Sequence, residues 1–146
     1  MACESSGVVR SAFEARGHEA WSADLLPAAD GSPRHLLGDV RQWLDRSWDL
    51  LVAHPPCTYL SVSGMHRTVR GLRDPKLTED ALAFVRLLMD APIERIAIEN
   101  PVSVISTRIR KPTQIIQPHE FGHDASKTTC LWLKNLPKLK PTRHVE

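Results

Sequence analysis

Residues 50–64, LLVAHPPCTYLSVSG, decide how the chain reads. Trp48 to His54 is a nearly continuous apolar run, the pattern of a central parallel strand covered on both faces. It stops at Pro55-Pro56. Two prolines stiffen the backbone and withdraw two hydrogen-bond donors, so they form a rigid ledge at the carboxyl end of a strand. Cys57 stands directly on that ledge, and small and hydroxylated residues follow as far as Gly64. In open α/β sheets, ligands sit beyond the carboxyl ends of the strands. A thiol held there can act as a nucleophile once it loses its proton. Taken alone, Cys57 equally suits a buried, inert thiol.

Working outward, strands and helices alternate. MACE reads as the end of a first strand cut short by the start of the chain, and residues 6–18 as a helix closed by Gly17. A second strand is expected over 19–26, a loop over 27–35 and a short helix over 39–46. Residues 55–73 read as a long loop, a place where function concentrates. Asp74-Pro75 opens a helix, and Leu77, Ala81, Phe84, Val85 and Leu88 mark its apolar face. RIAIEN (95–100), TQIIQP (113–118) and TTCLWL (128–133) read as further strands. With no internal repeat or linker, the expectation is one domain spanning residues 1–146. Its expected fold is a Rossmann-like α/β sheet, mostly parallel, with helices on both faces.

Three strand ends then share one rim: ACESSG (2–7), HPPC (54–57) and ENP (99–101). Glu99 is placed to handle protons or to hold a polar base edge, although a carboxylate there could equally be a helix cap. Cys3 and Cys130 fall in or beside expected strands and read as core. An odd count of three cysteines in no framework favours free thiols and a reducing, cytoplasmic compartment.

The remaining composition excludes several classes. The chain has 146 residues, 42% hydrophobic and 25% charged, as in ordinary globular domains. No apolar run approaches the roughly 18 residues of a membrane span, and no basic-then-apolar leader is visible. Paired Cys or His spacing for zinc is absent, and GSPRH and HEFGH match neither a phosphate loop nor a metalloprotease helix. A net charge of +2 does not by itself point to nucleic acid. Lys134, Lys138, Lys140 and Arg143 make the C-terminal stretch basic, which suits either a solvated tail or phosphate contact.

DLLVAHPPCTYLSVSG resembles the catalytic Pro-Cys motif of DNA cytosine-5 methyltransferases, and IAIENP resembles that family's Glu-Asn-Val motif, with Pro101 in place of Val. ACESSGVVRSAFEARGHEAWSADLLP is similar to the cofactor motifs, and GDV (38–40) to the next one. FGHDASKTTCLWL resembles the Gln-x-Arg-x-Arg segment, with Ala125, Lys127 and Thr129 at the three marked positions. The likeness is to small phage- or prophage-type members and covers about 130 residues.

The resemblance implies a covalent mechanism. Cys57 adds to C6 of a cytosine flipped out of DNA, Glu99 contacts N3 and the exocyclic amine, and C5 receives a methyl group from S-adenosylmethionine. Lys127 stands where an arginine touching the base or its phosphate is usual. The implied cofactor residues are Glu4, Gly7, Asp24, Asp39 and Pro55, with Glu4-Ser5-Ser6-Gly7 replacing the usual Phe-x-Gly-x-Gly. The implied substrate contacts are Pro56, Ser61, Asn100 and Thr129. The family's target-recognition domain and its closing helix have no counterpart here. DNA contact is therefore expected from residues 61–73, where Arg67, Arg70 and Arg73 recur, from the basic tail, or with a second copy or a partner protein. Two other readings stay open: related C5-pyrimidine chemistry with another donor or substrate, and a catalytically silent nucleic-acid-binding domain.

Overall fold

The computed structural model describes residues 1–145. Helix α1 (Val8–Glu14) precedes strand β1 (Ser22–Asp24), which pairs in parallel with β2 (His35–Leu37). A 3-10 turn (Val40–Gln42) leads to β3 (Leu50–Ala53), then to α2 (Val62–Val69) and α3 (Pro75–Met89). Next come β4 (Arg95–Pro101), the short α4 (Ile105–Arg108), β5 (Gln114–Ile116) and β6 (Thr129–Lys134).

The expected Rossmann-like, mostly parallel sheet is not what forms. The strands make a two-stranded parallel sheet, β1-β2, and a four-stranded mixed sheet of order β3-β4-β6-β5. β3 and β4 run parallel, but β6 runs antiparallel to both β4 and β5. The cause lies in the connections. A parallel neighbour needs a long crossover, usually a full helix. Residues 75–89 supply one between β3 and β4, whereas only four helical residues and a 3-10 turn lie beyond β4. Single-residue parallel bridges from Ala2 to Ala23 and to Ala53 are where the two sheets touch.

The register explains the core. Leu51 lies opposite Ile96, Ala53 opposite Ile98, and Ile98 opposite Trp132, so these side chains share one face. Leu82, Val85 and Leu88 of α3, all fully buried, belong to the same apolar cluster. Asp74 caps α3 by accepting from the Lys76 N–H at 2.9 Å, with Pro75 in the first turn, as the sequence leads one to expect. The opposite face of β3 and β4, carrying Val52, Ala97 and Glu99, is only half-buried.

Other boundaries shift. The loop expected over 55–73 contains α2, none of whose residues is buried. The 39–46 helix contracts to a 3-10 turn, and β2 uses the end of the segment read as loop. Cys130 is buried; Cys3 is half-buried with a left-handed φ of 57°. No helix among the described residues is long and apolar enough to cross a membrane.

Candidate functional site

The Pro-Pro ledge is held from β4. Pairing of β3 with β4 ends at Ala53 and Ile98, because neither Pro55 nor Pro56 has an N–H to continue it. A side chain takes over: Asn100, 1% exposed, donates Nδ2–H to the Pro55 carbonyl at 2.8 Å. Its Oδ1 is buried with no partner. Just beyond, the Cys57 carbonyl accepts from the Leu60 and Ser61 amides at 3.0 and 2.9 Å. Leu60 is fully buried, and its carbonyl accepts from the Val104 N–H at 3.0 Å. Val62 N–H reaches the Val102 carbonyl, and Ser61 bridges Ser103. Residues 57–62 are thus stapled to residues 102–104, so half-buried Cys57 and half-buried Glu99 lie on one rim.

The Glu99 carboxylate makes no hydrogen bond to the described residues. It lies close enough to Cys130 to raise that thiol's pKa, a smaller effect there than burial. β6 arrives at the same rim because it runs antiparallel: Thr129 pairs with Pro101. Lys127, two residues earlier and exposed, accepts from Thr129 Oγ1 through its carbonyl and leaves its ammonium without an ion pair.

Of the arginines, Arg67 and Arg70 are exposed on and beside α2. Arg73 is tied back: Nη1 donates to the Thr58 carbonyl at 2.7 Å, and its guanidinium lies 4.9 Å from the Tyr59 ring centre. Arg73 therefore braces the segment after Cys57.

The expected cofactor residues divide. Glu4 is buried and spent on capping α1, accepting from the Val9 N–H at 2.6 Å and the Arg10 N–H at 3.3 Å. Gly7 has φ 77°, and a Cβ there would sit 2.5 Å from Asp30 Oδ2, so only glycine fits. Asp24 Oδ1 accepts from the Leu26 N–H, leaving Oδ2 without a partner. Asp39 accepts from the Arg41 N–H and pairs with its guanidinium. Asp24 and Asp39 both face the Cys3 thiol: burial first, then these two charges, push its pKa up to about 11. The rim beside β1 is therefore electronegative. Of the two prolines, Pro55 is buried and Pro56 exposed. No cluster of three or more His, Cys, Asp or Glu that could hold a metal occurs among the described residues.

Two features escaped the sequence. His54, whose N–H donates to the Ala2 carbonyl at 3.0 Å, alternates onto the face of Val52, the Glu99 face. Its Nδ1 is buried without a partner. A single histidine before two prolines has no spacing partner to announce it. Arg10, 1% exposed, joins Ser22 Oγ at 2.7 Å and the Asp30 carboxylate, and Ser22 Oγ continues to His35 Nδ1 at 2.7 Å. On the helical wheel, Arg10 reads as an ordinary surface arginine.

Neither any protein-family model nor any curated protein matches the chain.

Proposed function

We propose that the protein transfers a methyl group to C5 of cytosine in DNA through a covalent bond between Cys57 Sγ and C6. The observation that carries this reading is the buried Asn100–Pro55 hydrogen bond, which fixes the thiol's ledge to the strand bearing Glu99. A nucleophile and a carboxylate held on adjacent strand ends are what addition to a polarised ring requires. In this reading the Cys57 sulfur, having lost its proton, bonds to C6 and the 5,6 double bond opens toward C5. Glu99 hydrogen-bonds N3 and the exocyclic amine, favouring the charge that develops on the ring. S-Adenosylmethionine, when bound, supplies the methyl group. Loss of the C5 proton to solvent re-forms the double bond and releases the Cys57 thiolate.

The acidic rim suits a sulfonium cofactor. Asp24, with a free carboxylate oxygen, and the main chain at Gly7 are the groups that would hold it. Glu4 and Asp39 stabilise the rim through α1 and Arg41 instead. A base within a duplex is out of reach, so it is flipped out, with Arg67, Arg70 and Lys127 available to its phosphates. The reading expects a protein of the cytoplasm, acting in a bacterium or a phage-infected host.

Mass spectrometry of nucleosides from DNA incubated with the protein and S-adenosylmethionine tests the proposal. 5-Methylcytosine is expected with the native chain and none with Cys57→Ser. DNA containing 5-fluorocytosine should trap the native chain covalently and leave Cys57→Ser free but still bound. Adducts formed only with a free nucleotide would move the reading to another pyrimidine substrate. Binding with neither adduct nor product would leave a silent DNA-binding domain.

A further inference from the structure

A cavity of about 480 Å³ opens at the amino ends of the strands, the opposite edge from Cys57. Its flanks are the starts of β1 and β3; Phe13, Leu36, Val40, Leu44 and Leu51 supply its apolar lining, and His18, Glu19, Asp49 and Arg95 also line it. The two strands facing each other across it are parallel, and Ala2 pairs with both at its upper end. Met1 continues below Ala2, its carbonyl accepting from the Ala23 N–H at 2.8 Å, and the cavity lies below Met1.

The backbone around the cavity is set for a partner. Val52 accepts from the Ala2 N–H through its carbonyl at 2.7 Å, so its own N–H points to the same side, into the cavity. The Trp21 carbonyl accepts from the Met1 ammonium at 2.6 Å, and the Trp21 N–H has no partner among the described residues. Buried backbone donors are rarely left unpaired. The Met1 ammonium itself is buried at the mouth of this space, and burial lowers its pKa.

The dimensions fit one kind of occupant. Three residues of strand, rising about 3.3 Å each, with about 4.8 Å between strands and about 10 Å across the faces, fill on the order of 500 Å³. The register agrees on the β3 side. Met1 lies level with Val52 and with Ser22, where β1 begins, and two further steps reach Leu50, where β3 begins, and Ala20, in the segment that leads into β1. We propose that the cavity is the seat of a further strand, about three apolar residues long, running parallel to β1 and β3 and continuous with Met1. Such a strand would be covered on both faces, hence apolar throughout. It would pair with Trp21 and Val52, turn the Met1 ammonium into an ordinary amide, and weld the two sheets together. This inference is independent of the proposed chemistry.

Thermal unfolding and amide hydrogen exchange test it, on the full chain extended before Met1 by Val-Leu-Val, by Ser-Gly-Ser or by Pro-Leu-Pro. The Val-Leu-Val chain should melt on the order of 10 °C higher than the native chain. It should also slow exchange of the Val52 and Trp21 amides at least tenfold. Ser-Gly-Ser should do neither, and Pro-Leu-Pro, apolar but without the donors, should recover only a minor part. Equal melting temperatures for Val-Leu-Val and Ser-Gly-Ser would overturn the proposal. So would equal gains from Val-Leu-Val and Pro-Leu-Pro, which would mean an apolar cavity without strand pairing. An acetylated Val-Leu-Val amide that protects the same two amides when added in trans would refute continuity with Met1 and assign the cavity to a partner strand.

Discussion

Replacing Asn100 by Ala separates the tether from everything else at the site. Asn100 is 1% exposed, and among the described residues its Nδ2 is the only donor reaching the Pro55 carbonyl. Removing one partner of a buried hydrogen bond costs about 1–3 kcal/mol. The figure should sit in the middle of that range, because Asn100 Oδ1 is already unpaired and its loss relieves a penalty. With about 2 kcal/mol lost, the melting temperature of a chain this size should fall by about 8 °C. The functional effect should be larger. A shift of the ledge by about 1 Å costs roughly 10²-fold in rate, so covalent capture of 5-fluorocytosine DNA should slow by about that factor. Ser103→Ala is the control: Ser103 is 5% exposed, its Oγ accepts from the Ile105 N–H at 3.3 Å, and its bridge to Ser61 is a main-chain pairing that the substitution keeps. It should cost comparable stability while leaving capture within a few-fold of native. Urea titration gives the first quantity and quench-gel kinetics the second. Native capture rates in Asn100→Ala, at the expected stability loss, would refute the idea that this bond positions Cys57.

Gly7→Ala should destabilise by about 3 kcal/mol or more, since it adds left-handed strain and pushes Asp30 off the buried Arg10 guanidinium; urea titration measures this. Arg67→Ala with Arg70→Ala should flatten the salt dependence of DNA affinity by up to two phosphate contacts, while Arg73→Ala should instead lower stability by releasing Thr58 and Tyr59. The Cys3 thiol, raised from 9.0 to about 11 in the fold, ionises first in the unfolded chain. Its contribution to stability is therefore complete below pH 9 and is lost as pH climbs toward 11, a decline that should vanish in Cys3→Ala. Iodoacetamide at pH 8, followed by peptide mapping, should accordingly modify Cys57 before Cys3 or Cys130.

Local chemistry made some elements legible and hid others. α3 announces itself because cap, first-turn proline and apolar spacing agree, and β3 and β4 because they are buried runs with sharp ends. α2 is silent: it buries nothing, so Ser63, Gly64 and Thr68 leave no apolar period to read. β2 is short and half-exposed, so His35 passes for the end of a loop and Leu36 and Leu37 carry no strand pattern of their own. The direction of β6 is not written in its own residues, since TTCLWL would serve in either sense; the missing crossover decides it. At the site, the placement of Cys57 and Glu99 at the ends of neighbouring strands was readable from proline and strand-end chemistry. Asn100, expected as a substrate contact but buried as the tether of Pro55, was not, nor were His54 and the commitment of Glu4 to α1, because each depends on a neighbour that only folding supplies.

The Asn100–Pro55 bond spans 45 residues of chain. Closing so long a loop costs entropy that local contacts do not repay. A chain synthesised from its N-terminus therefore carries Cys57 for 43 residues before Asn100 exists, and longer before Val102 and Val104 can staple residues 60–62. During that interval the thiol is an ordinary cysteine on an unorganised segment. Reactivity toward a base is thus a property of the finished fold and not of the nascent chain, and premature termination before β4 leaves a fragment that has the nucleophile and none of its aim.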